Sequence, residues 1–136
     1  MMSKTPFLSM QDSEIKKMLV EYMGKGFLDN IIALFKQDSS LYRFVPDMLG
    51  DENMRVRLGA TALVEELSGE HKTELRNAVP GIIELLKHEN PTIRGDAAYV
   101  LGIIKDRSAR EALEACLHDS HLSVREVVND ALAQIG

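Results

Sequence analysis

The sequence matches itself three times without a gap. Residues 48–67, 85–104 and 116–135 superimpose at shifts of 37 and 31 residues, aligning Val56-Arg57 with Ile93-Arg94 and Val124-Arg125. The same shifts align Ala60, Ala97 and Val128, then Val64, Leu101 and Leu132, then Leu67, Ile104 and Ile135. Self-similarity at such a period is the mark of a repeat array. At 100° per residue, positions 56, 60, 64 and 67 fall in an arc of roughly 80° on a helix. One helix pair cannot bury that apolar arc by itself, so successive pairs must stack. The arginine stands at the edge of the arc, beside a turn rich in Asp and Asn. There it can reach turn carbonyls, or the carboxylate of a neighbouring turn such as Asp51 or Asp119. Arg57, Arg94 and Arg125 are therefore read as structural positions, not as a binding ladder, because they recur at a fold-defining place.

Helical periodicity runs through the rest of the chain. Leu41, Phe44, Val45, Met48 and Leu49 fall at i, i+3, i+4, i+7 and i+8, and no segment alternates apolar with polar residues. Punctuation predicts eight helices. The first covers 13–23, capped by Ser13, and Gly24-Lys25-Gly26 ends it. The others cover 27–37, 39–49, 54–67, 72–87 with a bend at Pro80, 91–104, 106–118 and 122–135. The expected fold is all-α: a short right-handed α-solenoid. It would comprise a flexible tail over 1–12, an N-terminal hairpin over 13–38 acting as a cap or degenerate repeat, and three repeats over 39–69, 70–105 and 106–136. In the last repeat Asn129 and Gln134 replace Ala98 and Ile103 of the middle one, a more polar flank that predicts a terminal repeat.

The pattern Asp-x-x-x-x-Val-Arg-x-x-Ala-x-x-x-Leu-Gly resembles the HEAT-like repeats of phycobilisome lyase subunits. The segment 91–102, Pro-Thr-Ile-Arg-Gly-Asp-Ala-Ala-Tyr-Val-Leu-Gly, is its best copy. Two places depart from it: His88 replaces the turn Asp and Val128 replaces Ala. The resemblance covers residues from about 40 to 136. It implies a stacked helical array used mainly to bind other macromolecules, and it permits an accessory role beside a chromophore or cofactor lyase. Deoxyhypusine hydroxylase, an iron enzyme of similar repeats, carries His-Glu pairs just after the Val-Arg position. Here those places hold Leu58-Gly59, Gly95-Asp96 and Glu126-Val127, so that chemistry is set aside.

Charge narrows the partner. The net charge is −5 over 136 residues. Cut at 38, 69 and 107, the chain carries 0, −2, 0 and −3, so no segment is basic. This argues against nucleic acid, including the basic groove of DNA glycosylases built from HEAT-like repeats. One cysteine excludes an internal disulfide framework and fits a reducing compartment; with no apolar run long enough to span a membrane, a cytoplasmic protein is expected.

Catalytic chemistry finds little footing. His118-Asp119-Ser120-His121 offers two imidazoles and a carboxylate but no firm third ligand, so it reads as a solvated turn. Cys116 aligns with Met48 and Leu85 and reads as a buried packing residue. Glu65-Glu66 reads as solvated helix surface. No cofactor and no metal are expected.

A binding face remains. Opposite each buried arc lie Leu58, Ala62 and Glu65, then Gly95, Tyr99 and Gly102, then Glu126, Asp130 and Ala133. These would line the concave side. Tyr99 is the large aromatic at its centre, with Gly95 and Gly102 predicted to leave a recess around it. Leu58 would add apolar area, and Glu65, Glu126 and Asp130 an acidic rim. The expected function is a non-catalytic protein-interaction module for a partner of basic or mixed surface. An accessory lyase subunit comes second and a metal- or ligand-binding enzyme third.

Overall fold

The computed structural model describes residues 9–136, which are helical with no strand among them. Helix α1 spans Asp12–Gly24 and α2 spans Leu28–Gln37. A 3-10 turn over Ser39–Phe44 leads into α3, Val45–Leu49, and then α4, Met54–Leu67. Next come α5 (Lys72–Leu75), a 3-10 turn (Arg76–Ala78), α6 (Val79–Leu85) and α7 (Pro91–Ile104). A 3-10 turn over Arg107–Ala109, α8 (Arg110–Glu114) and α9 (Leu122–Ile135) follow. Taking each 3-10 turn with the α-segments it joins, the described residues form eight rods.

The first rod of each pair is more broken than the periodicity predicts. The expected continuous helix over 72–87 is three pieces, and the helices expected over 39–49 and 106–118 shrink to α3 and α8. Pro46 and Pro80 stand in the first turns of α3 and α6. Proline has no N–H and its ring crowds the turn before it, so a helix starts there more readily than it runs through. In the third pair the matching position is Glu111, yet the 3-10 start persists, so proline is not its only cause. At the N-terminus Gln11, not Ser13, is the cap; its N–H donates to Glu14 Oε1 at 3.0 Å. The tail expected over 1–12 falls largely on residues 1–8, outside the described residues, and its last member, Asp12, is helical.

Two layers result. α2, α4, α7 and α9 neighbour one another in order, and the broken rods pack behind them. The repeat arc is the core: Val56, Ala60, Val64, Leu67, Ile93, Ala97, Leu101 and Ile104 are buried. Leu132, which aligns with Val64 and Leu101, is half-buried. Burying one such aliphatic side chain contributes about 1.5–3 kcal/mol. The α1–α2 hairpin stacks on the following pair at one constant shift. Asp12 meets Arg43 at 2.9 Å, Lys16 meets Asp47 at 3.7 Å, and Arg55 Nη1 donates to the Gly24 carbonyl at 3.4 Å; each pair is 31 residues apart. No helix among the described residues is long and apolar enough to cross a membrane.

Candidate protein-interaction face

The three repeat arginines reach back six residues to a turn carbonyl. Arg57 Nη1 donates to Asp51 O at 2.8 Å, Arg94 Nη1 to His88 O at 2.8 Å, and Arg125 Nη1 to Asp119 O at 2.6 Å. Arg57 and Arg94 also reach the next carbonyl, of Glu52 at 2.9 Å and Glu89 at 3.2 Å. Each cation thus satisfies orphan carbonyls where one helix ends and the next begins. The turn residue answers with its own bond. Asp51 Oδ2, His88 Nδ1 and Asp119 Oδ1 each accept from the backbone N–H two residues on, at 2.9, 3.0 and 3.0 Å. His88 therefore does the work of the turn Asp it replaces, through a bare ring nitrogen.

Between repeats the ladder is uneven. Arg94 Nε and Nη2 grip Asp119 at 2.8 and 3.0 Å, a bidentate pair largely out of water. Those bonds hold the Asp119 carboxyl below the usual carboxylate range. Arg57 has no such partner among the described residues, since its next turn offers His88; its Nε is buried and bonds none of them. Half-buried Asp96 lies close enough for Arg57 to oppose the upward push that burial gives its carboxyl. The carboxylate of Asp51, the other expected turn acid, pairs with no arginine among the described residues, and Gly26 stands one 31-residue shift before Arg57.

The predicted face residues lie at the surface. Leu58 is 61 % and Tyr99 43 % exposed, and Glu65, Glu126 and Asp130 are exposed too. The Tyr99 hydroxyl donates to Glu65 Oε2 at 2.6 Å, tying α7 to α4 and raising the phenol above its ordinary value. A groove of about 450 Å³ opens beside the ring towards α9, lined by Ile103, Val127, Asp130, Ala131 and Gln134 among others. Gly102, expected to leave a recess beside Tyr99, lines that groove together with it. Gly102 is buried, and a Cβ there would stand 2.9 Å from Ala131 Cα, so this glycine lets α9 close in on α7. At Gly95 a Cβ would meet nothing within 4 Å, so that side is open.

Other candidates make contacts of their own. Cys116 is half-buried, not buried as expected; its Sγ contacts Ala112 O at 3.4 Å, and burial pushes the thiol up, away from the thiolate. Asp119 accepts from Arg94 Nε and Nη2 through its two carboxylate oxygens. Sequence reasoning missed Phe27, 47 % exposed at the start of α2. It stands one 31-residue shift before Leu58, so extending the alignment through the hairpin would have found it. It also missed Tyr42, fully buried with an unbonded hydroxyl, which no sequence signal marks.

Comparison with known proteins bears on the fold. The family profile of HEAT repeats matches residues 47–133. No curated protein sequence matches the chain. Among solved structures it is similar to a designed armadillo repeat protein, with a TM-score of 0.55 and 14% sequence identity. The match covers 96% of this chain and 61% of that one, and at such identity the likeness is of fold alone.

Proposed function

The chain belongs to the HEAT-repeat family, and from that premise we propose that it is a non-catalytic protein-interaction module, an adaptor or assembly subunit. Its partner would be a protein held on the expected concave side, along α4, α7 and α9. The observation that carries this reading is Tyr99. A large ring stands 43 % exposed, is tethered through its hydroxyl to Glu65, and borders an open groove with an apolar wall. A pre-positioned aromatic beside a recess loses little entropy on binding and makes an effective anchor. Glu65, Glu126 and Asp130 favour a basic or mixed partner surface and disfavour phosphate backbones and anionic lipid. A second reading, an accessory subunit of a chromophore or cofactor lyase, rests on the sequence pattern of residues 91–102.

The test is affinity capture from native lysate with wild type and Tyr99→Ala, read by mass spectrometry, with circular dichroism of both. The expected result is one abundant protein held by the wild type and lost by a variant of unchanged helicity. Equal capture by both sinks the role of Tyr99. Visible absorbance of the purified protein, retained through gel filtration, favours the lyase-subunit reading instead.

A further inference from the structure

The face around Tyr99 extends into the N-terminal hairpin and changes character along its length. Three contacts at the constant 31-residue shift place α1–α2 in step with the next pair. By that shift Phe27 and Leu58 are equivalent positions in successive layers, and both are exposed, at 47 % and 61 %. The same column continues through Gly95, where a Cβ would meet nothing within 4 Å, to Glu126. One turn further along α9, Asp130 adds a second exposed carboxylate. The column is therefore apolar over its first two layers, open at the third and acidic at the fourth.

Resting on the reading above, we propose that this column binds one segment of a partner protein that is apolar at one end and basic at the other. Its apolar end would sit on Phe27 and Leu58, its middle in the opening at Gly95 beside Tyr99, and its basic end on Glu126 and Asp130. Neighbouring helices lie about 8–10 Å apart, so three steps span about 25–30 Å. An extended chain of about nine residues covers that distance. A second copy of this chain fits poorly, because its acidic end finds no basic counterpart in the column and faces another acidic end if the copies pair end to end. Burial of the apolar end is insensitive to salt, whereas pairing at the acidic end weakens as salt screens it.

The experiment uses fluorescein-labelled peptides of about ten residues, the length set by chain extension. Two carry a leucine block and an arginine block in either order, and a third has the same composition with the residues interleaved. Fluorescence anisotropy against the full chain should show one block order binding at least about fivefold tighter than the interleaved peptide, a factor of about 1 kcal/mol. Leu58→Ser should weaken that peptide several-fold at every salt concentration. Phe27→Ser should do the same, and because Phe27 packs edge-on against Tyr22 at 5.9 Å, circular dichroism must show that variant folded. Asp130→Asn should weaken binding and flatten its salt dependence. Equal affinity for all three peptides, no binding of any, or a silent Leu58→Ser overturns the proposal. If Tyr99→Ala still costs the protein its captured partner in that case, the interaction reading stands and only the polarity of the column falls.

Discussion

Arg94 and Asp119 join consecutive turns through two parallel hydrogen bonds, Nε to Oδ2 at 2.8 Å and Nη2 to Oδ1 at 3.0 Å. The same guanidinium holds the His88 carbonyl with its Nη1, and the same carboxylate takes the His121 N–H. One ion pair thus ties the end of α6 and the start of α7 to the turn before α9. Both side chains are nearly buried, at 12% and 9% exposure, so removing one partner costs more than at a surface bridge.

Its pH dependence follows from the direction of the shift. Bonding to Arg94 holds the folded Asp119 carboxyl below its unfolded value of about 3.9. A depressed folded value contributes stability that is complete above the unfolded value and is lost as pH falls through the folded one. Asp119→Asn should therefore cost about 2 kcal/mol at neutral pH, by leaving Arg94 without its counter-charge. Urea denaturation from pH 7 down to pH 2 should show the gap between variant and wild type closing below about pH 4. A gap that stays constant across that range would show that the pair does not set it.

The step before this one is open, and closing it should stabilise the fold. Arg57 Nε is buried with no acceptor, where the next repeat offers a carboxylate. His88→Asp restores the turn acid, keeps an acceptor for the Asn90 N–H as Asp119 does for His121, and gives Arg57 a partner. The expected gain is about 1–2 kcal/mol by chemical denaturation, since a buried donor is satisfied by a charged acceptor. In an Arg57→Lys background the gain should shrink, because lysine lacks the forked edge. An equal gain in both backgrounds would place the benefit elsewhere, for instance in the turn.

The parts of the structure legible in the sequence are those written in repeating chemistry. The Val-Arg pair located three second helices, and α7 and α9 begin and end where the caps and periodicity predicted. The exposure of Leu58, Tyr99 and Asp130 was legible for the same reason, since helical geometry alone sets them away from the buried arc. What escaped depends on neighbours rather than on period. The breaks in the first rods come from local competition between 3-10 and α hydrogen bonding, which apolar spacing does not register. The role of Gly102 depends on Ala131, 29 positions away, and the tether of Tyr99 on a glutamate one repeat earlier. Phe27 was hidden because its hairpin keeps the 31-residue shift but has lost the Val-Arg signature.

The two glycines of α7 should respond in opposite ways to the same change. Alanine is favoured over glycine in a helix by about 0.5–1 kcal/mol. At Gly95 a Cβ meets nothing within 4 Å, so Gly95→Ala should gain about that much. At Gly102 the Cβ would stand 2.9 Å from Ala131 Cα and 3.1 Å from its Cβ. Backbone cannot swing aside as a side-chain tip can, so α9 must shift, and Gly102→Ala should cost about 1–3 kcal/mol. Thermal unfolding by circular dichroism distinguishes them. A stabilised Gly102→Ala would mean that the two helices separate at little cost.

Tyr42 offers the sharpest test of the core. Its ring is fully buried, edge-on to Phe35 at 5.2 Å and stacked on His71 at 6.2 Å. Its hydroxyl has no hydrogen-bond partner among the described residues, and burial, with Glu74 and Glu70 nearby, drives the phenol far above its ordinary value. The ring contributes packing, while the hydroxyl is buried and bonds none of the described residues. Tyr42→Phe keeps both ring contacts and removes the orphan donor, so it should stabilise the fold by about 1 kcal/mol. Tyr42→Ala, which removes the ring as well, should cost about 3–5 kcal/mol. Paired urea titrations decide the matter. If Tyr42→Phe is destabilised instead, the hydroxyl holds a bond in solution, and a buried water between it and the backbone is the first place to look.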